Sequence, residues 1–203
     1  MDEKQIPKQE HGGSSDTTAK AEFDTETAAK EAFEVSKKRL LDINRWKEIS
    51  VGKLTAFQIF DENGEEQTVP EEGYFLRIGI PGPRTVSGNG YDWVRIKSIV
   101  EEYDEDSATV SIKVKPAPAP VNNDKADAHF FDDDATSTFV VQRKGKTVTA
   151  EVHGRNEKAN NEEPGIIDSI RNTVVAIGAK LFGSKMQWKS LVEGIIARDD
   201  EMI

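Results

Sequence analysis

The chain has 203 residues, 36% of them hydrophobic and 32% charged, and its 37 acidic against 27 basic side chains give a formal net charge of -10. It contains no cysteine, which excludes disulfides, thiolate metal sites and a cysteine nucleophile. No apolar run approaches the ~18–20 residues of a membrane span, and the start, Met1-Asp2-Glu3-Lys4-Gln5, lacks the apolar stretch of a signal peptide. The acidic balance disfavours general attraction to nucleic acid or anionic lipid, and a soluble, cytoplasmic protein is expected.

Residues 1–22 hold one large apolar side chain, Ile6, together with Gly12-Gly13-Ser14-Ser15 and charges of both signs. Such a segment buries too little surface to offset its ordering entropy and reads as a disordered tail. A single α+β domain is expected over 23–198, followed by a polar end, 199–203. The domain opens on a helix. From about Thr25, the residues Ala29, Phe33, Leu40, Ile43 and Ile49 fall near one stripe, with Trp46 beside it. Asp24 or Thr25 supplies the N-cap, and Glu26 suits the positive end of the helix dipole.

From Val51 to His153 the pattern is of strands and turns. The stretch Leu54 to Phe60 leads into Asp61-Glu62-Asn63-Gly64, where Asn-Gly provides positive φ angles. Tyr74, Leu76, Ile78 and Ile80 alternate onto one face of the next strand. A second hairpin joins Asp92–Val100 to Ala108–Lys115 around Asp104-Glu105-Asp106. Pro116-Ala117-Pro118-Ala119-Pro120 is extended and cannot donate ladder hydrogen bonds. It is either a stiff linker between subdomains or, as preferred here, a rigid crossover within one sheet. A third hairpin spans Thr136 to His153. With Lys144-Gly145 as its loop, Phe139 faces Ala150 and Val141 faces Val148.

Two helices follow. Ile166, Ile170, Val174, Ile177 and Leu181 repeat at helical spacing, with Gly183 placed as a C-terminal cap. Ser184-Lys185-Met186-Gln187 resembles a capping box ahead of a last helix with Trp188, Leu191, Val192 and Ile195 inward. The expected fold is therefore an N-terminal helix, an antiparallel hairpin-built sheet able to curve or close toward a barrel, and two C-terminal helices packed on it.

Opposite the apolar side of the second hairpin lie Trp93, Arg95, Lys97, Lys113 and Lys115. Matched faces would set Lys97 opposite Lys113 and Arg95 opposite Lys115, an arrangement of like charges that costs some tenths of a kcal/mol or more. On an acidic protein this row reads as a surface for an anionic ligand or an acidic protein partner. Self-neutralisation and a solvated, edge-protecting face are the plainer alternatives. The loop Pro81–Tyr91 adds Arg84, Ser87 and Asn89 as polar groups, and Gly88-Asn89-Gly90 resembles a phosphate nest without the Walker Gly-Lys-Ser/Thr.

His129 near Asp132, Asp133 and Asp134, and His153 near Glu151 and Glu157, match no established metal spacing, so neither a metal nor another cofactor is expected. Catalytic motifs are missing as well. The leading reading is a non-catalytic interaction protein that presents the basic strand face and the Pro/Gly-rich loop to a protein partner. The alternative is a binder of an apolar or amphipathic small molecule in a cavity between sheet and helices. An enzyme of unknown class comes third. Nucleic acid is disfavoured, since one aromatic accompanies the cations. Helical apolar surface beyond what the sheet covers would serve self-association.

Overall fold

A computed structural model describes residues 5–50, 55–79, 91–121, 134–157 and 185–198. The chain begins with strand β1 (Gly13–Glu22), then helix α1 (Glu26–Leu41), a 3-10 turn (Ile43–Arg45) and the short helix α2 (Trp46–Ile49). Strands β2 (Ala56–Phe60), β3 (Glu66–Gln67), β4 (Phe75–Gly79), β5 (Asp92–Tyr103), β6 (Ser107–Pro116), β7 (Thr136–Lys144) and β8 (Thr147–Glu157) follow, and helix α3 (Lys185–Ile196) comes last. The eight strands form one antiparallel sheet in the order β1-β8-β7-β6-β5-β4-β2-β3.

The expected architecture is overturned at its start: the first element is a strand and not a helix. Of the two expected C-terminal helices the described residues hold the last. The expected helix at Ile166–Leu181 lies outside the described residues. The segment read as a tail supplies β1, which pairs with β8 from Gly13↔Glu157 to Glu22↔Thr147. Its small side chains have a physical reason. Thr17, Ala19 and Ala21 stand opposite Val152, Ala150 and Val148 on the apolar side of the sheet, and bulk there would hold the α3 layer away. Gln5 to Gly12 is tied to the outward side: Gln5 Nε2 donates to Glu102 Oε2 (2.8 Å), and Asn156 Oδ1 accepts from the backbone N–H of Glu10 (2.8 Å) and His11 (3.3 Å). Asn156 itself sits at φ +56, in the left-handed region that Asn tolerates, beside the bulge of the β1–β8 ladder.

The Thr25 cap forms as expected, its side chain accepting from the Ala28 N–H at 3.1 Å. The helical stripe does not run unbroken to Ile49. At Asp42 the backbone leaves the helix (φ -87, ψ 64), and the Trp46 indole N–H turns back onto the Arg39 and Leu40 carbonyls, both at 3.1 Å. The turn keeps Leu40, Ile43 and Trp46 all buried, which one straight helix across a curved sheet would not do.

Strand pairing makes the inward side explicit. One row runs Ile96–Val114–Ser137–Gly154–Ser15, and the next runs Ile99–Ile112–Phe139–Val152–Thr17. The proline run is a crossover within one sheet, since β6 and β7 pair directly on either side of it. The third hairpin turns at Gly145-Lys146, with Gly145 at φ +56, so Phe139 faces Val152 and Val141 faces Ala150. That is two residues from the expected register, and a shift of two leaves each side chain on its expected face.

Four rings close the middle of the interior. Trp46 meets Phe57 (5.2 Å between centroids) and Phe139 (4.7 Å), and Trp188 meets Phe139 (5.4 Å) and Phe57 (6.3 Å). The circuit joins α2, β2, β7 and α3, and edge-on and tilted ring pairs of this kind add about 0.5–1.5 kcal/mol each beyond their burial. The C-terminal end of α3 is clamped. Arg39 donates to the carbonyls of Gly194, Ile195 and Ala197, while Gly194 lies so close to α2 that a Cβ would stand 2.0 Å from the Ile49 carbonyl oxygen.

Candidate functional site

The five residues expected to form a cationic face do not form one row. Arg95 stands opposite Lys115 as expected, but a bulge between Ile96 and Ser98 takes Lys97 out of the ladder and sets Ser98 opposite Lys113. Lys97 is exposed, while Lys113 and Lys115 are half-buried. Burial and the neighbouring Lys115 charge hold the Lys113 ammonium below its usual range. Arg95 is neutralised by the chain itself: it bonds Glu62 Oε1 (2.7 Å) and the Gly73 carbonyl (2.9 Å) and lies over the Phe75 ring. Trp93 packs on Phe60 at 5.2 Å, with its indole N–H buried and without a partner. Arg77 is held between the Phe60 and Tyr91 rings. The outward side of β2, β4 and β5 is thus an arginine–aromatic stack with its own counter-ion. Arg84, Ser87 and Asn89 lie outside the described residues.

A second polar cluster lies outward on β8. His153 Nδ1 bonds Asp16 Oδ1 at 2.5 Å and its Nε2 bonds Glu151 Oε2 at 2.7 Å, while Arg155 bonds Asp16 at 2.7 Å. With a carboxylate at each ring nitrogen, both positions act as N–H donors and the imidazolium is the matching form. Burial opposes that charge, the hydrogen bonds to Glu151 and Asp16 outweigh it, and the ring is held above its usual value. The cluster stitches β1 to β8. Among the described residues no group of three His, Asp or Glu is placed to hold a metal ion.

The inward side changes character along the sheet. At one end the strands turn tightly, through Asp104–Asp106 and Gly145-Lys146. At the other, β4 ends, β5 begins, β6 ends, β7 begins and β8 ends, and the chain's longest connections leave the sheet there, between residues 79 and 91, 121 and 134, and 157 and 185. Past the ring circuit, on this side, the bulky groups give way to Ser137, Gly154, Ser15 and Ala135. A hollow of about 10 Å³ remains against Val94, Val114, Pro116, Ala135 and Ser137, and Lys115 and Thr136 reach it from the outward side. That is room for roughly one water molecule. The Glu157 carboxyl also lines the hollow and accepts from the Ser15 hydroxyl at 3.2 Å. A Cβ on Gly154 would strike that carboxyl at 2.0 Å, so the glycine is what lets Glu157 fold over the sheet. Burial pushes the Glu157 carboxyl up.

Asp92 opens β5 on the same side, in the row Phe57–Ile78–Asp92 and two residues before Val94. It is 9% exposed, and burial alone pushes its carboxyl up to about 7. Thr55, two residues ahead of Phe57, is 5% exposed, and its hydroxyl is buried without a hydrogen-bond partner. Neither residue stood out from the sequence. The signal was present in the alternation: the parity that turns Val94 and Ile96 inward turns Asp92 inward too.

No helix among the described residues is long and apolar enough to cross a membrane. No family model and no curated protein matches the chain. Among solved structures, the chain is similar to a hypothetical protein of Helicobacter pylori at 10% identity and a TM-score of 0.43, with 94% of each chain covered. It is similar to Ara h 8.0201 at 10% identity and a TM-score of 0.42, covering 92% of this chain and 100% of that one. The ginseng major latex-like protein 151 of Panax ginseng is similar at 11% identity and a TM-score of 0.35, with 83% and 97% covered. All three scores fall below one half, and neither fold nor function is argued from them.

Proposed function

We propose that the protein binds an apolar or amphipathic small molecule on the inward side of its sheet, at the end where the long connections leave. One observation carries this reading. The inward rows taper from Ile112, Phe139 and Val152 to Val114, Ser137 and Gly154 within a single step along the strands. The side chains shrink toward this end of the sheet, where a hollow of about one water remains. An apolar wall with a few convergent polar groups is the usual chemistry of a small-molecule site. The cationic face has weaker support, because Arg95 already holds Glu62 and the bulge separates Lys97 from Lys113.

The test combines native mass spectrometry of protein freshly purified from its host with calorimetric titration by dodecanol. A bound apolar mass or a saturable heat is expected, and the Ser137→Val variant, which fills the hollow, should lose it. A bare protein mass together with no heat from dodecanol overturns the reading.

A further inference from the structure

The two edges of the sheet are built differently. At one edge stands β3, only two residues long, a length that offers a passing strand almost nothing to pair with. At the other stands β1, ten residues without a proline and regular from Ser15 to Glu22. Its odd positions bond β8. The Phe23 N–H, which continues this ladder, donates to the Lys146 carbonyl at 3.0 Å, so Ala21, Ala19 and Thr17, each two residues further back, turn their backbone groups the same way. Asp16, Thr18, Lys20 and Glu22 therefore direct both N–H and C=O away from the sheet, and all four are exposed. Among the described residues only Arg198 reaches this row, 3.5 Å from the Glu22 carbonyl oxygen. A long edge of unused backbone donors and acceptors is a template for another strand.

The charges on this edge identify the strand. Two antiparallel copies of β1 would pair through the residues that point outward in both, so even-numbered positions oppose even-numbered ones. Centring the pair on Asp16 or on Lys20 sets like charges face to face, and centring it on Ala19 sets Asp16 opposite Glu22. Centring it on Thr17 brings no charges together. Centred on Thr18, the strands overlap from Ser14 to Glu22, and Asp16 of each copy meets the partner's Lys20. On the inward side Thr17 then meets the partner's Ala19 and Ser15 the partner's Ala21, all small. A lone lysine on an edge discourages pairing; the aspartate four residues before it makes this edge complementary to itself. Both groups can be reached. Asp16 is half exposed and holds His153 and Arg155 through one oxygen, Oδ1, while Lys20 is tied to Glu22 by an exposed contact of little worth.

We infer that β1 is a self-recognition edge, through which two copies of the chain pair antiparallel about a two-fold axis at Thr18 and join their sheets into one. A contact that uses the same surface on both copies closes at the dimer. The inference does not rest on the ligand reading above.

Sedimentation equilibrium of the full chain over a concentration series, at near-physiological salt, tests this. A reversible monomer–dimer equilibrium is expected. Lys20→Asp turns both ion pairs into like-charge pairs and should weaken the dimer by about tenfold or more. Thr18→Pro removes an edge N–H at the axis without touching the ladder to β8 and should abolish it. Far-UV circular dichroism checks that each variant keeps its sheet, and Lys20→Asp, a change at an exposed position, decides the matter if Thr18→Pro does not fold. The chain has no cysteine, so Thr18→Cys places a single thiol at the axis. Mild oxidation should link it to its own copy, whereas Ser14→Cys, set opposite the partner's Glu22, should not link. A monomer at every concentration overturns the inference, and is the result if the edge receives a strand of a different protein. A dimer unweakened by Lys20→Asp, or one that Ser14→Cys links as readily as Thr18→Cys, overturns it as well.

Discussion

Phe139 and Ser137 lie two residues apart on β7 and face the same way, yet they belong to different kinds of interior. Around Phe139 the rings of Trp46 and Trp188 close at 4.7 and 5.4 Å, and α2, α3 and the sheet are locked together. Around Ser137 the neighbours are Gly154, Val114 and a hollow that Glu157 also lines. One part of the interior is built for stability. The other carries small side chains and a hollow of about one water, with the buried Asp92 farther along the sheet.

The contrast can be broken most directly at its stable half. Phe139→Ala opens the ring circuit and should cost about 3–5 kcal/mol in urea or thermal denaturation, whereas Ser137→Ala should stay within about 1 kcal/mol. Equal losses at the two positions would erase the distinction.

The next effect has the opposite sign. The Asp92 carboxyl is raised from 3.8 to about 7 by burial, so the folded state holds its proton more tightly than the unfolded chain does. Stability associated with this group is therefore greatest below about pH 4 and falls as the pH rises to about 7, by up to roughly 4 kcal/mol at about 1.4 kcal/mol per unit. Asp92→Asn should stabilise the protein by a few kcal/mol at about pH 8 and hardly at all at about pH 4. Destabilisation of the same variant at about pH 8 would mean that the charged carboxylate has a partner.

A smaller loss is expected from Gly194→Ala. Alanine is the better helix former by about 1 kcal/mol, but its Cβ would meet the Ile49 carbonyl oxygen at 2.0 Å. A net loss of about 1–3 kcal/mol identifies the clamp between α2 and α3 as close-packed backbone, and a net gain would show that the helix moves away freely.

The smallest effect belongs to His153. Its raised value contributes stability that is complete below the ordinary histidine range and is lost as the pH climbs through the folded value, while the lowered Asp16 contributes above the ordinary aspartate range and is lost in acid. The β1–β8 seam should be tightest between about pH 4 and 6.5. It should loosen as the pH rises above the ordinary histidine range, by about 1 kcal/mol or less, Asp16 being half exposed. Amide exchange in β1, corrected for its intrinsic pH dependence, measures this, and His153→Gln should flatten it.

The hairpins were legible in the sequence because alternation and turn chemistry agree there, as at Asp61–Gly64, where the Asp61 carboxylate accepts from the Asn63 and Glu65 N–H groups at 2.9 Å each. The Trp188, Leu191, Val192 and Ile195 stripe of α3 is buried as read. Strand β1 was hidden because its inward residues are small and its pairing partner lies more than a hundred residues away. No local signal marks such an edge strand. The bulge at Lys97 escaped for a related reason: the apolar pattern resumes on the same face after one extra residue, and only pairing shows the slip. The candidate site was the least legible part. Asp92 and Thr55 acquire their meaning from burial without partners, which sequence does not record.

Residues at both ends of the described chain sit at the tight-turn end of the sheet. Gln5 bonds Glu102 beside the β5–β6 turn, and Arg198 lies over the Phe23 ring where β1 gives way to α1. Arg198 is exposed whereas Gln5 is buried, so a tether or fluorophore attached at Arg198 would stand away from Asp92 and Ser137. Immobilised at Arg198, the protein would present the Ser137 end of the sheet to the solution in a surface-based test of the proposed binding.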